Sequence, residues 1–190
     1  MIKQRLPQKA TLDKSQPRDC FQTPRYATEL LVPFIPYGII WECASGEGRM
    51  ARVLREHFSS VKESDINPRL GIEKINFLYD DSPYDNFAFI IITNPPYSAK
   101  RQFFQKCIEY GVPFALLISG DYSLWTIDAV RKHGCEKIVP DHRINFITPT
   151  GLSEVTGHSS YFHSYWLTRY FGLGQTETFV ELTKEMRKNI

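Results

Sequence analysis

The chain of 190 residues has four cysteines, Cys20, Cys43, Cys107 and Cys135, which lie far apart and never form a CxxC pair. That scatter speaks against a zinc site and a disulfide framework, and it suits a reducing compartment. The five histidines, His57, His133, His142, His158 and His163, lack ligand spacing, so no metal is expected. No apolar run approaches the ~20 residues that cross a bilayer. The opening residues are polar and basic, unlike a signal sequence. A cytoplasmic protein without membrane contact is therefore expected. Repeats, low-complexity tracts and a Gly- or Pro-rich linker are also missing. What is present is a hydrophobic content of 42% and an aromatic content of 14%, enough for one domain with a real core.

A net charge of +2 carries no argument by itself, but its distribution is uneven. Lys3, Arg5, Lys9, Lys14 and Arg18 make residues 1–18 a basic arm, suited to touching phosphates or simply to lying in solvent. From residue 19 to 190 a single domain is expected. Thr23 and Pro24 read as N-cap and first residue of a helix whose apolar face holds Tyr26, Ala27, Leu30 and Leu31, with Pro33 and Pro36 ending it. Strands are predicted at 38–43, 60–65, 74–78, 87–93 and 113–119, with helices at 49–58, 99–110 and 121–133. Segments 143–147 and 161–170 alternate apolar with polar residues and suggest a final hairpin-like pair. Residues 178–182 suggest one more short strand, and 131–137 reads as a solvated helix end. Strands alternating with helices in this way predict a doubly wound, mostly parallel sheet.

The run 87–93 is uncharged and ends in Asn94-Pro95-Pro96-Tyr97. Neither proline can donate to a ladder, and each biases the residue before it towards extended geometry. A stiff corner results, presenting one amide, one carbonyl and one aromatic ring at the edge where α/β sheets bind ligands. An aromatic amine is a poor nucleophile because its lone pair is delocalised into the ring. Two acceptors, the Asn94 side-chain oxygen and the Pro95 carbonyl, would draw such a nitrogen towards tetrahedral geometry, with Tyr97 stacking on the ring.

Upstream, Glu42-Cys43-Ala44-Ser45-Gly46-Glu47-Gly48 joins a strand to a helix. It is not a phosphate-binding loop, since GxxxxGK[ST] is missing, and Ala51 stands where the dinucleotide fingerprint has its third glycine. A carboxylate before the turn repels pyrophosphate and attracts a cation. Asp65 follows Glu42 by 23 residues, close to the ~20 at which doubly wound enzymes place a ribose-binding carboxylate.

Taken in order, Phe21-Gln22-Thr23-Pro24, Glu42 to Gly48, Ser64-Asp65-Ile66-Asn67-Pro68, Asn76-Phe77-Leu78 and Asn94 to Tyr97 resemble the S-adenosylmethionine-dependent amino-methyltransferases. The set is most similar to the N6-adenine DNA methyltransferases, and it spans residues 19 to about 119. The resemblance implies a Rossmann-like class I methyltransferase fold: a seven-stranded, mostly parallel sheet with an antiparallel last strand. It also implies S-adenosylmethionine as cofactor. Phe21, Thr23 and Pro24 would wall its methionine end, and Glu42 would lie under its ammonium, with the amides of Ala44 to Gly48, Gly46 among them, around it. Asp65 would hold the ribose hydroxyls, Ile66 would lie against the adenine, and Asn76 and Phe77 would read the adenine edge. Asn94, Pro95, Pro96 and Tyr97 would form the catalytic corner, acting on a flipped base, with Asn94 also bordering the cofactor. The chain departs from the family at Cys43, where proline or phenylalanine is usual, at Glu47, where a small residue is common, and at Asn76, a frequent aspartate.

The implied reaction is methyl transfer to adenine N6 in nucleic acid, with DNA favoured over RNA. RNA adenine and protein glutamine are alternative substrates, because those families share the corner. The protein-modifying family usually adds a helical domain, for which the roughly 38 residues before the first strand are too few. Cytosine N4 fits less well, since that group usually carries Ser in place of Asn94. A catalytically silent nucleic-acid-binding module is the reading from a different class. No target-recognition domain of ordinary size fits beside this core, which leaves residues 120–160, with Arg143 and Asn145, or a protein partner, to contact the target. Plain sheet-edge connections explain that stretch equally well. Lys100 and Arg101 suit either a phosphate or solvent.

Overall fold

Phe89–Thr93 is buried at every position, and a strand enclosed on both faces must be central. The computed structural model describes residues 21–83, 89–120, 122–147 and 162–188. The basic arm, the start of the expected strand at 87–93 and, within 120–160, residues 121 and 148–160 therefore lie outside the described residues. The strands are β1 (Ile39–Glu42), β2 (Val61–Asp65), β3 (Glu73–Lys74), β4 (Phe89–Thr93), β5 (Phe114–Ser119), β6 (Glu136–Pro140), β7 (Ser164–Arg169) and β8 (Glu177–Val180). The helices are α1 (Arg25–Glu29), α2 (Arg49–His57), α3 (Lys100–Tyr110) and α4 (Leu124–His133). One eight-stranded sheet runs β3-β2-β1-β4-β5-β7-β6-β8. Strand β7 pairs antiparallel with both β5 and β6, and the remaining pairings are parallel. The expected mostly parallel sheet with its antiparallel late strand is thus present, and β8 adds an eighth strand at the edge.

Alternation along β4 and β5 splits the core. Ile90, Ile92 and Leu117 join Tyr26, Leu31, Met50, Leu54 and Trp166 on one face. Ile91 and Leu116 join Trp41, Phe77, Phe103 and Phe104 on the other. Trp41 needs a partner for its indole N–H in this dry setting and donates to Ser64 Oγ on β2 at 2.9 Å.

Four local expectations are corrected. Thr23 does not cap α1: Pro24 occupies the N-cap position without a side-chain bond, and the helix spans only five residues before a 3₁₀ turn at Val32–Phe34. The strand expected at 74–78 ends at Lys74, because Asn76 Oδ1 accepts from Leu78 N–H and Asn76 O accepts from Tyr79 and Asp80, which turns the chain. Segment 131–137 is a solvated helix end only as far as His133, with Arg131 and Lys132 exposed in the last turn of α4; the helix stops at Gly134 in a left-handed conformation, and β6 begins at Glu136. The partners of β7 are β5 and β6, not 143–147, which is irregular apart from one bridge between Ile147 and Gln22.

Candidate active site

Parallel strands bring their carboxyl ends to one edge. Glu42, Asp65, Asn94 and Ser119 thereby meet there, as the ends or immediate followers of β1, β2, β4 and β5. The glycine turn lies between β1 and α2. Gly46 and Gly48 have φ of 55° and 74°, and an added Cβ would come 3.1 Å from the Gln22 amide at Gly46 and 3.1 Å from Glu63 Oε2 at Gly48. Only glycine makes this turn without strain. Asp65 staples it, accepting Gly46 N–H at 2.9 Å on one oxygen and Asn67 N–H at 2.8 Å on the other. Each oxygen keeps a lone pair for a ligand hydroxyl. The Glu47 side chain points to solvent.

Glu42 is only 2% exposed, and its Oε2 has no hydrogen-bond partner. Burial pushes its pKa well above the carboxylate range, Glu63 raises it further, and Asp65 adds to this; the Ala51 amide and Ser45 hydroxyl offset part of the effect. Glu63 stands opposite Glu42 in the β1–β2 register. It accepts from Ser45 Oγ at 2.7 Å and from Arg55 at 2.9 Å. An orphaned buried carboxylate oxygen next to two more acids fits a ligand that brings a positive charge. Sequence reasoning overlooked Glu63, and its signal was the alternation that puts it on the same face of β2 as Asp65. The thiol of Cys43 is buried and its pKa is raised by that burial, so it stays protonated as a core residue.

Asn94 Nδ2 donates to Thr23 Oγ1 at 3.2 Å. Its Oδ1, like the Pro95 carbonyl, takes no hydrogen bond among the described residues. Asn94 and Pro95 both line an open cleft walled by Phe21, Tyr97, Phe146 and Phe162. Tyr97 is 44% exposed, and its ring lies 6.3 Å from that of Phe162, which is 6.2 Å from Phe146. Lys100, from the first turn of α3, faces the cleft: Nζ donates to Ser119 Oγ at 2.8 Å and lies 4.7 Å from the Tyr97 ring centroid.

The remaining expected residues divide. Ile66 stands out at 37% exposed directly after Asp65. Asn76 is at the β3 end of the edge with its oxygen engaged by Leu78. The Phe77 ring is instead in the core, 2% exposed and stacked on Phe103 at 4.7 Å. Phe21 lines the cleft, Thr23 is buried and bonded to Asn94, and Pro24 precedes α1 as its N-cap.

No family model and no curated protein matches this sequence. Solved structures do match in fold. A dimethyladenosine transferase from Plasmodium falciparum superposes with a TM-score of 0.51 at 14% identity, covering 78% of this chain and 62% of that one. A predicted O-methyltransferase from Agrobacterium tumefaciens gives 0.51 at 14% identity, covering 83% and 85%. No helix among the described residues is long and apolar enough to cross a membrane. The chain has the Rossmann-like α/β fold of the class I methyltransferases.

Proposed function

We propose that the protein transfers a methyl group from S-adenosylmethionine to the exocyclic N6 amine of adenine in nucleic acid, with DNA as the first candidate. The observation that carries this reading is the pair of unengaged acceptors, Asn94 Oδ1 and Pro95 O, beside an aromatic cleft and next to the Asp65-stapled glycine turn. When bound, S-adenosylmethionine supplies an electrophilic methyl on a sulfonium sulfur. Glu42 offers its buried carboxylate to the cofactor's ammonium, and Asp65 offers its second lone pairs to the ribose. Ile66 offers an apolar surface to the adenine ring, and Asn76 lies towards that ring's edge. Asn94 Oδ1 and Pro95 O accept the two amine hydrogens and localise the nitrogen lone pair. With the cofactor bound, bonding of the nitrogen to the methyl carbon would break the carbon–sulfur bond, and the amine's surplus proton would leave to water. Tyr97 stacks on the extruded base.

Preference for DNA rests on the ordered motifs from Phe21 to Tyr97. Adenine in RNA is the second reading, supported by the adenosine named for the Plasmodium structure. The arm at 1–18 and residues 120–160 of the single domain are proposed contacts for the target, with a protein partner as a further source of recognition. The test is radiolabelled methyl transfer to duplex DNA, single-stranded DNA, RNA and total protein side by side. Label is expected in adenine N6 of DNA; label in protein alone refutes the reading. Asn94→Ala should abolish turnover and leave S-adenosylmethionine binding, read by calorimetry, within about twofold, since its loss removes an acceptor for the amine alone.

A further inference from the structure

An asparagine amide has two faces of nearly equal size, one an acceptor and one a donor. Only the acceptor is useful to an amine that must give up hydrogen bonds. Reversed, the amide would aim its NH2 at another NH2. Nothing within Asn94 chooses between the two orientations, so a second residue must.

We propose that Thr23 is that positioning residue, holding the Asn94 amide with Oδ1 towards the cleft. The proposal rests on the methyl-transfer reading above and adds a role for Thr23 apart from the methionine end of the cofactor. Three observations carry it. Thr23 Oγ1 accepts from Asn94 Nδ2 at 3.2 Å across 71 residues of chain. The hydroxyl is spared its usual local duty: it precedes a helix as a capping residue would, yet α1 has no side-chain cap. The hydroxyl is also held still. Thr23 is 6% exposed and sits between Pro24, with its fixed φ, and Gln22. Gln22 is pinned by a two-way backbone bridge to Ile147 (2.9 and 3.0 Å), and its Oε1 accepts Glu47 N–H at 3.4 Å. A hydroxyl can also donate to a reversed amide. That arrangement, however, sets donor against donor as soon as an amine enters, so substrate and Thr23 together admit one orientation.

Thr23→Val keeps the shape and removes the acceptor. Turnover at saturating cofactor and nucleic acid should fall roughly three- to tenfold, the scale of one neutral hydrogen bond. The Michaelis constant for nucleic acid and the Kd for S-adenosylmethionine should stay within about twofold. Thr23→Ser restores the acceptor and should recover wild-type turnover. Rates are normalised to sites titrated calorimetrically with S-adenosylmethionine, so partial unfolding cannot imitate the effect. The proposal falls if Thr23→Val turns over normally, if Thr23→Ser is equally impaired, or if the loss appears wholly in cofactor Kd. With Asn94→Ala run alongside, the two ideas separate. An active Asn94→Ala, or a wild type that labels no substrate, defeats the methyl-transfer reading itself. An inactive Asn94→Ala beside a fully active Thr23→Val defeats only the role of Thr23.

Discussion

Glu42→Gln should make the cofactor-free protein more stable and its cofactor binding weaker. The buried Glu42 carboxyl has a folded pKa raised by desolvation first and by Glu63 second. A raised carboxyl pKa favours the folded state below the unfolded value, here 4.5, and that advantage is lost as pH rises through the folded value. From 4.5 to neutral pH, at about 1.4 kcal/mol per pH unit, linkage limits the loss to at most about 3 kcal/mol. Glutamine never ionises and so avoids it. The amide, though, adds a further N–H donor where Oε2 already lacks a partner, and an unsatisfied buried polar group costs about 1–3 kcal/mol. The net gain expected at pH 7 is roughly 1 kcal/mol, or about 2–4 °C in Tm for a domain of this size. The gain should shrink towards pH 4.5 and below, as wild-type Glu42 becomes protonated in the unfolded state as well as the folded one. S-adenosylmethionine affinity should drop roughly tenfold or more, because a charged acceptor for an ammonium is worth about 1.5–3 kcal/mol. Differential scanning calorimetry from pH 4.5 to 8 and titration calorimetry at pH 7 measure both. A variant that melts below wild type at every pH, or that binds S-adenosylmethionine unchanged, refutes the reasoning.

Gly48→Ala places a Cβ 3.1 Å from Glu63 Oε2 at a φ of 74°. About 1–2 kcal/mol of stability should be lost in urea melts from backbone strain alone, and an unchanged midpoint would mean that the turn relaxes freely. Lys100→Met removes the bond to Ser119 and the cation beside the Tyr97 ring. The Michaelis constant for nucleic acid should rise roughly three- to tenfold with cofactor Kd constant, as a cation–π contact of about 0.5–2 kcal/mol allows; an unaltered constant shows that Tyr97 is placed without it.

Where burial on both faces decides the structure, the sequence was readable. Strands β1, β4 and β5 are apolar runs, and Glu42 and Asn94 follow from where β1 and β4 stop. Strand β6 was hidden because its charges read as solvated. Lys137 is instead satisfied by Glu177 at 2.7 Å across the β6–β8 pair, forty residues on, and no local pattern carries such a partner. Ile144 and Ile147 are buried, but a spacing of three fits an irregular segment seated on the core as well as an alternating strand. Asn76 looked like part of a strand until its side chain closed a turn. Thr23 is the most instructive case. Its position reads as a helix cap, and only the fold brings Asn94 within reach of its hydroxyl.

The cleft wall ahead of β1 has a consequence for how the protein matures. Trp166 donates to Ala27 O across 139 residues, Asn145 N–H donates to Tyr26 Oη across 119, and Thr23 meets Asn94 across 71. Contacts of such separation carry a loop-closure cost that must be met before they stabilise anything. On a ribosome, Tyr26, Leu30 and Leu31 emerge early but cannot be covered by Trp166 until β7 has been made. During that interval the central strands can pair while their apolar face lacks its lid. The segment that carries Thr23 is then fixed only once β7 is in place, so the chain pairs its central strands well before it becomes competent to act.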